Sequence, residues 1–111
     1  MIDDSSLAKV FEIHKSIITE KFEEKHKGCK LINEGNEFYV EVDFNKVRGF
    51  DNLSDRGKEL FQRLYKRHNA AQGLDYKIRW IPKSVTEHKT HLEVHFTGKD
   101  WLHYMPNGEW F

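Results

Sequence analysis

The chain has 111 residues, of which 38% are hydrophobic, 32% are charged and 14% are aromatic, and its formal net charge is zero. The aromatic content argues against disorder, because disordered chains are poor in such residues. The neutral balance argues against a non-specific nucleic-acid coat, and no apolar run approaches the roughly 20 residues of a membrane helix. We expect one domain spanning 1–111, since this length is close to the commonest domain size.

The cysteine content and the start of the chain bear on its compartment. One cysteine, Cys29, cannot form an internal disulfide, so an oxidising compartment is not indicated. No charged-then-apolar signal segment opens the sequence. We therefore expect a cytoplasmic protein with no membrane attachment and no cofactor.

The first half of the chain predicts a helix and then a hairpin. Apolar residues at helical spacing predict a helix over 6–26, with Leu7, Val10 and Phe11 on its apolar face. Apolar and polar residues then alternate over 38–45, which predicts a half-buried strand. The turn-forming run 33–36 before it predicts a short paired strand over 30–32.

The second half predicts one more helix and an antiparallel meander. A helix is expected over 54–72, with Ser54 as its N-cap. The strands that we expect after it are Tyr76–Ile81, Thr90–Thr97, Trp101–Met105 and a short Glu109–Phe111. The order α-ββ-α-β-β-β-β favours an α+β fold, a single layer pair in which two helices pack on one face of a small, mainly antiparallel sheet.

Alternation along these strands assigns side chains to the two faces of the sheet. In 90–97, three apolar residues point one way, and His91, Glu93 and His95 point the other way. We expect Lys77 and Arg79 to join this polar face from the preceding strand. The remaining histidines, His14, His26, His68 and His88, are expected to lie elsewhere.

The polar face gains His103 if the hairpin keeps a three-residue loop over 98–100. That register keeps the apolar face apolar across both strands. It places His95 opposite His103 and Glu93 opposite Met105. A slip of one residue would bury His103.

The polar face predicts acid–base chemistry on a phosphodiester. Cleavage of RNA without a metal needs a base, an acid and a cation that stabilises the phosphorane, and histidine titrates in the required range. We assign catalysis to His95, His103 and Glu93 with Arg79 as the phosphate ligand. We assign substrate binding to Lys77, His91 and three cations of the second helix, Arg63, Lys66 and Arg67. RNA is then the expected partner.

The layout of 54–105, with DYKIRW before THLEVHF, is similar to that of small RNase toxins of the barnase and RelE-like kind. In those proteins helices pack one face of a meander and polar residues line the other face. The resemblance implies a metal-independent endoribonuclease of the bacterial toxin type. It is one of layout and not of a diagnostic motif, and the strand between the two helices departs from the RelE-like order.

Two other interpretations of the polar face stay open. His91, Glu93 and His95 on one strand, with His103 as a fourth ligand, could bind a metal, although side chains on one strand converge poorly and we assign no metal ligands. Alternatively, the face is solvated or binds a protein, as in an inhibitor, an immunity protein or a phage-encoded interference protein. The aromatics Trp101, Tyr104, Trp110 and Phe111 could stack on bases, but we expect them to complete the core.

Overall fold

Residues 4–111 are described by a computed structural model, which gives side chains from Ile13 onward. They form an α+β fold with antiparallel sheets, which confirms the predicted class. In chain order the elements are α1 (Asp4–Lys25), β1 (Leu31–Glu34), β2 (Glu37–Val40), two 3-10 turns (Phe44–Lys46 and Phe50–Asn52), α2 (Asp55–Ala71), a 3-10 helix (Leu74–Trp80), β3 (Pro82–Glu87), β4 (Leu92–Phe96) and β5 (Trp101–Tyr104). Among these described residues, no helix has the length and apolar character needed to cross a membrane.

The strands divide into two small sheets. The hairpin β1-β2 forms one sheet, and β3, β4 and β5 form the other in that order, with β4 in the centre. The predicted alternation over 38–45 ends early, because the chain leaves the strand after Val40 and turns at Phe44–Lys46, where the Asp43 carboxylate accepts the Asn45 N–H. The short strand before the 33–36 turn is present, as β1.

Helix α2 supplies the main core. Ser54 is its N-cap, as predicted, and its hydroxyl accepts the Gly57 N–H. Phe61, Leu64 and Tyr65 are fully buried against the inner face of the three-stranded sheet and the loops around it. The predicted apolar side of β4 therefore faces α2, since Leu92, Val94 and Phe96 belong to the same core.

Helix α1 packs against the hairpin instead. Phe22 lies in a smaller core with Leu31 and Val40, while Ile13 and Ile17 remain exposed. The predicted packing of Leu7, Val10 and Phe11 falls outside the described side chains.

The strand that we predicted over Tyr76–Ile81 is wrong. Residues Leu74–Trp80 form a 3-10 helix, and the sheet begins at Pro82 instead. The reason is Lys77, whose ammonium group turns back and donates to the carbonyls of Asn69, Ala70 and Gln72 at the end of α2. The helical turn after Gly73 brings that side chain over the carbonyls of the helix C-terminus.

The chain end pairs with β5 only locally. In place of the predicted strand Glu109–Phe111, Trp110 forms one bridge with Tyr104, and Phe111 exchanges backbone hydrogen bonds with His103. Tyr104 and Trp110 pack in the core as predicted, whereas Trp101 and Phe111 are exposed, which corrects the prediction that all four aromatics complete it.

Lys77 stabilises the fold through these three hydrogen bonds from a side chain that is only 2% exposed. We expect Lys77→Met to lower the free energy of unfolding by about 2–3 kcal/mol, because hydrogen bonds to a charged group are worth about 1.5–3 kcal/mol. The matched control is Arg79→Met, whose surface ion pair should cost less than about 1 kcal/mol. Urea unfolding measures both, and an equal loss in the two variants would contradict the assigned role.

His68 makes stability depend on pH. It is buried, shares a 2.9 Å hydrogen bond with the Tyr104 hydroxyl, and burial lowers its pKa to about 4. The unfolded chain, with a His pKa near 6.5, binds a proton more readily, so the stabilisation is complete above about pH 6.5 and is lost as the pH falls toward 4.

We expect wild type to lose about 3 kcal/mol more than His68→Gln between pH 7 and pH 4, at 1.36 kcal/mol per pKa unit. Urea unfolding at several pH values tests this difference. Parallel curves for the two proteins would show that His68 does not titrate on unfolding.

Candidate functional site

The hairpin between β4 and β5 sets the geometry of the candidate site. The Phe96 N–H donates to the Asp100 carbonyl and the Lys99 N–H donates to the Phe96 carbonyl, so the loop is 97–99 and not the predicted 98–100. Lys99 takes the left-handed conformation at φ 71°. Gly98, the residue before it, is required for a different reason: a Cβ at position 98 would lie 2.3 Å from Arg79 Cγ.

The observed register corrects two predicted pairs but keeps the faces. Glu93 lies opposite His103, and His95 lies opposite Trp101. The predicted pairs, His95 with His103 and Glu93 with Met105, do not form. Since the shift is by two residues, His103 stays on the same face as Glu93 and His95, as predicted.

Glu93 is the hydrogen-bonding centre of this surface. Its carboxylate lies 2.7 Å from His95 Nε2 and 3.2 Å from His88 Nε2. The hydrogen bond with His95, helped by the one with His88, lowers the pKa of Glu93. Glu93 is therefore held in its charged form between two imidazoles.

The placement of His88 corrects the prediction that it lies away from the site. His88 follows directly on β3, a strand that the sequence analysis missed, and its N–H donates to the His91 carbonyl across the turn to β4. The imidazoles of His88 and His91 stack with their centroids 4.8 Å apart. The sequence signal that could have placed His88 beside His91 is the polar pair Lys89-Thr90, which forms a two-residue turn between the two strands.

The histidines continue into aromatic residues on β5 and at Phe111. The ring centroids of His91 and His103 are 4.1 Å apart, and His103 also lies 5.3 Å from Trp101 and 5.4 Å from Phe111. We call the contiguous surface the histidine face, and its residues are His88, His91, Glu93, His95, Trp101, His103 and Phe111.

The surroundings of His91 on the histidine face oppose its protonation. Partial desolvation lowers the pKa of His91, and the neighbouring His103 and His88 lower it further, because a second positive charge would lie close by. Glu93 acts in the opposite direction but more weakly. The stacked rings thus favour neutral His91.

The predicted cations Lys77 and Arg79 are not on the histidine face. Lys77 is buried at the end of α2 because the segment is a 3-10 helix and not a strand. The Arg79 guanidinium is 3.0 Å from Asp100, which follows the same alternation as the core-facing Leu102 and Tyr104. The predicted phosphate ligands therefore do not approach Glu93 or His95.

Of the predicted helix cations, Lys66 and Arg67 lie apart from the histidine face, whereas Arg63 lines a cavity that His88 and His91 also line. Arg63 Nε is 3.0 Å from Glu59, and Lys66 lies 3.8 Å from Glu34 and over the Tyr39 ring. With Arg67 they border a shallow depression that also contains acidic residues. The predicted substrate-binding set is thus divided among several surfaces, and of its members only His91 belongs to the histidine face.

No group of three or more His, Cys, Asp or Glu residues among the described side chains is arranged to hold a metal ion. The imidazoles of His88, His91 and His103 pack ring against ring. What the histidine face can do chemically is exchange protons at the Glu93–His95 pair and present exposed rings to a partner.

Comparison with known protein families, with curated proteins and with solved structures finds no match to this chain. The similarity of layout to small RNase toxins therefore stays a prediction. Function has to be inferred from the side chains of the histidine face.

The His95–Glu93 hydrogen bond can be tested by titration. We expect His95→Gln to raise the pKa of Glu93 toward that of an ordinary glutamate, because the leading cause of its lowering is removed. His88→Gln should raise it less, and His103→Gln should leave it unchanged. NMR titration of the Glu93 carboxyl carbon measures all three variants, and the same value in wild type and His95→Gln would refute this pairing.

Proposed function

We propose that this chain is a non-enzymatic protein-binding protein, of the inhibitor, immunity or interference type, which contacts its partner through the histidine face. The observation that carries the proposal is the exposure of Trp101 and Phe111, at 54% and 65%, beside four stacked or hydrogen-bonded histidines. Exposed aromatic groups in one patch are typical of interaction sites, and tryptophan is enriched among the residues that dominate binding energy.

The edges of the three-stranded sheet favour contact through this face. Arg48 pairs with the outer side of β3 by hydrogen bonds with Lys83 and Val85, and residues 109–111 pair with the outer side of β5. A partner strand would have to displace one of these segments to extend the sheet. The accessible surface is therefore the side chains of the histidine face.

The charge of the histidine face favours a protein over a nucleic acid. The histidine face contains one acidic side chain, Glu93, and neither Lys nor Arg. Affinity for nucleic acids comes largely from cations that neutralise phosphates. Lys66 and Arg67 lie on a separate surface, and Arg63, which lines the cavity beside His88 and His91, is paired with Glu59.

A metal-independent endoribonuclease is the second candidate, and one observation favours it. The Glu93–His95 pair, at 2.7 Å, is suited to general acid–base catalysis, and His103 lies directly across from Glu93. A phosphate ligand is what this candidate lacks, since Arg79 pairs with Asp100.

We place this function in the cytoplasm as part of the proposal. Cys29 is a free thiol, and free thiols persist in reducing compartments.

The test compares two matched double variants of the tagged chain. Trp101→Ser with Phe111→Ser should weaken capture of the partner by about thirty-fold or more, since even one hot-spot residue contributes about 2 kcal/mol or more. Lys66→Ser with Arg67→Ser, on the opposite surface, should leave the affinity within about threefold. A partner is accepted only if reciprocal capture recovers the chain.

The proposal would be contradicted if the Trp101/Phe111 variant kept its affinity for the partner and the Lys66/Arg67 variant lost it.

An RNA-cleavage assay in EDTA tests the second candidate, the endoribonuclease. Cleavage by wild type that His95→Gln abolishes would establish the enzyme instead.

A further inference from the structure

A cavity of about 320 Å³ lies next to the histidine face, between the first turns of α2 and the turn that joins β3 to β4. His88 and His91 line it on one side, and Leu60 and Pro106 provide an apolar part of its wall. Its volume is at the lower end of the range for small-molecule sites. It can therefore accept a small ligand with a polar group and a short apolar body.

The carboxylates in the cavity wall are already paired within the protein. The Glu87 carboxylate accepts the Ser54 N–H at 2.7 Å and the Ser54 hydroxyl at 2.8 Å, which lowers the pKa of Glu87. Glu59 accepts the Arg63 Nε–H at 3.0 Å. Neither acid is free to pair with the remaining cations.

Two cations in the wall have no such partner among the described residues. Arg56 and Lys89 line the cavity, and neither forms a hydrogen bond or an ion pair with a described side chain. They approach it from opposite sides, one from α2 and the other from the β3–β4 turn. Positive charge with donor groups on two sides is suited to an oxyanion.

The backbone of the helix terminus is not the source of this positive potential. The Ser54 hydroxyl caps the Gly57 N–H at 3.0 Å, and Glu87 satisfies Ser54. The attraction for an anion comes from the side chains of Arg56 and Lys89.

We propose that this cavity binds a small phosphate monoester, with the phosphate between Arg56 and Lys89 and its organic group against Leu60 and Pro106. A phosphate monoester carries close to two negative charges near neutral pH, which matches two cations without partners. A monocarboxylate would satisfy only one of them. The cavity shares His88 and His91 with the histidine face, but Arg56, Lys89, Leu60 and Pro106 do not belong to that face, so the two proposals are tested with different variants.

The test is an NMR titration of the ¹⁵N-labelled chain with phenyl phosphate as the probe. We expect saturable shifts of the backbone amides of 54–57 and 88–91, and weaker binding of inorganic phosphate, which lacks the apolar group. Phenol, which lacks the phosphate, should give no saturable shift. Arg56→Gln with Lys89→Gln should raise the dissociation constant at least tenfold.

The matched control is Lys46→Gln with Lys83→Gln, which removes the same charge from residues outside the cavity. It should bind phenyl phosphate within about twofold of wild type. The proposal is overturned if wild type shows no saturable shift, if the two double variants bind equally, or if the shifts centre on the depression lined by Lys58, Lys66 and Arg67. Each outcome leaves partner capture through Trp101 and Phe111 to be judged independently.

Discussion

The fold depends on a buried amide, Asn69, at the end of α2. Its side chain accepts the Val40 N–H and donates to the carbonyls of Lys77 and Trp80. Its own carbonyl accepts a hydrogen bond from the Lys77 ammonium group. One fully buried residue thereby ties the β1-β2 hairpin and the 3-10 helix to α2. Since unpaired buried polar groups are costly, these segments hold each other in a single arrangement.

This arrangement decides where the three-stranded sheet begins and which of its faces is covered. The 3-10 helix leads the chain to Pro82, and His68, the residue directly before Asn69 in α2, contacts Tyr104 of β5 inside the core. The inner face of the three-stranded sheet is therefore covered by α2. The outer face is left with the histidines, and its exposure is a consequence of how α2 is anchored.

The elements that could be predicted from the sequence are those in which apolar residues recur at a regular spacing. The α2 face with its Ser54 cap and the alternation of β4 are both as expected, because burial of one face imposes that spacing. Strand β3 was missed because Val85 is its one buried residue after Pro82, too few for an alternating pattern. The 3-10 helix was mistaken for a strand because Tyr76, Ile78 and Trp80 alternate, although Tyr76 is exposed.

The candidate site was predictable in outline and not in its pairs. Alternation placed Glu93, His95 and His103 on one face, whereas the pairing depended on the hairpin loop. A glycine is the residue expected to take the left-handed conformation in such a loop, but Lys99 takes it here. Gly98 is required because Arg79 approaches it closely. Such a long-range contact leaves no local pattern.

The contacts within the histidine face depend on how β4 and β5 pair, and the pairing can be measured directly. The Phe96 N–H bonds to the Asp100 carbonyl, so the alternation of antiparallel pairs makes Glu93 and His103 a non-hydrogen-bonded pair with Cα atoms about 4.5 Å apart. Nuclear Overhauser spectroscopy should therefore show a strong contact between the Hα atoms of Glu93 and His103. A strong contact between the Hα atoms of His95 and His103 instead would contradict the account.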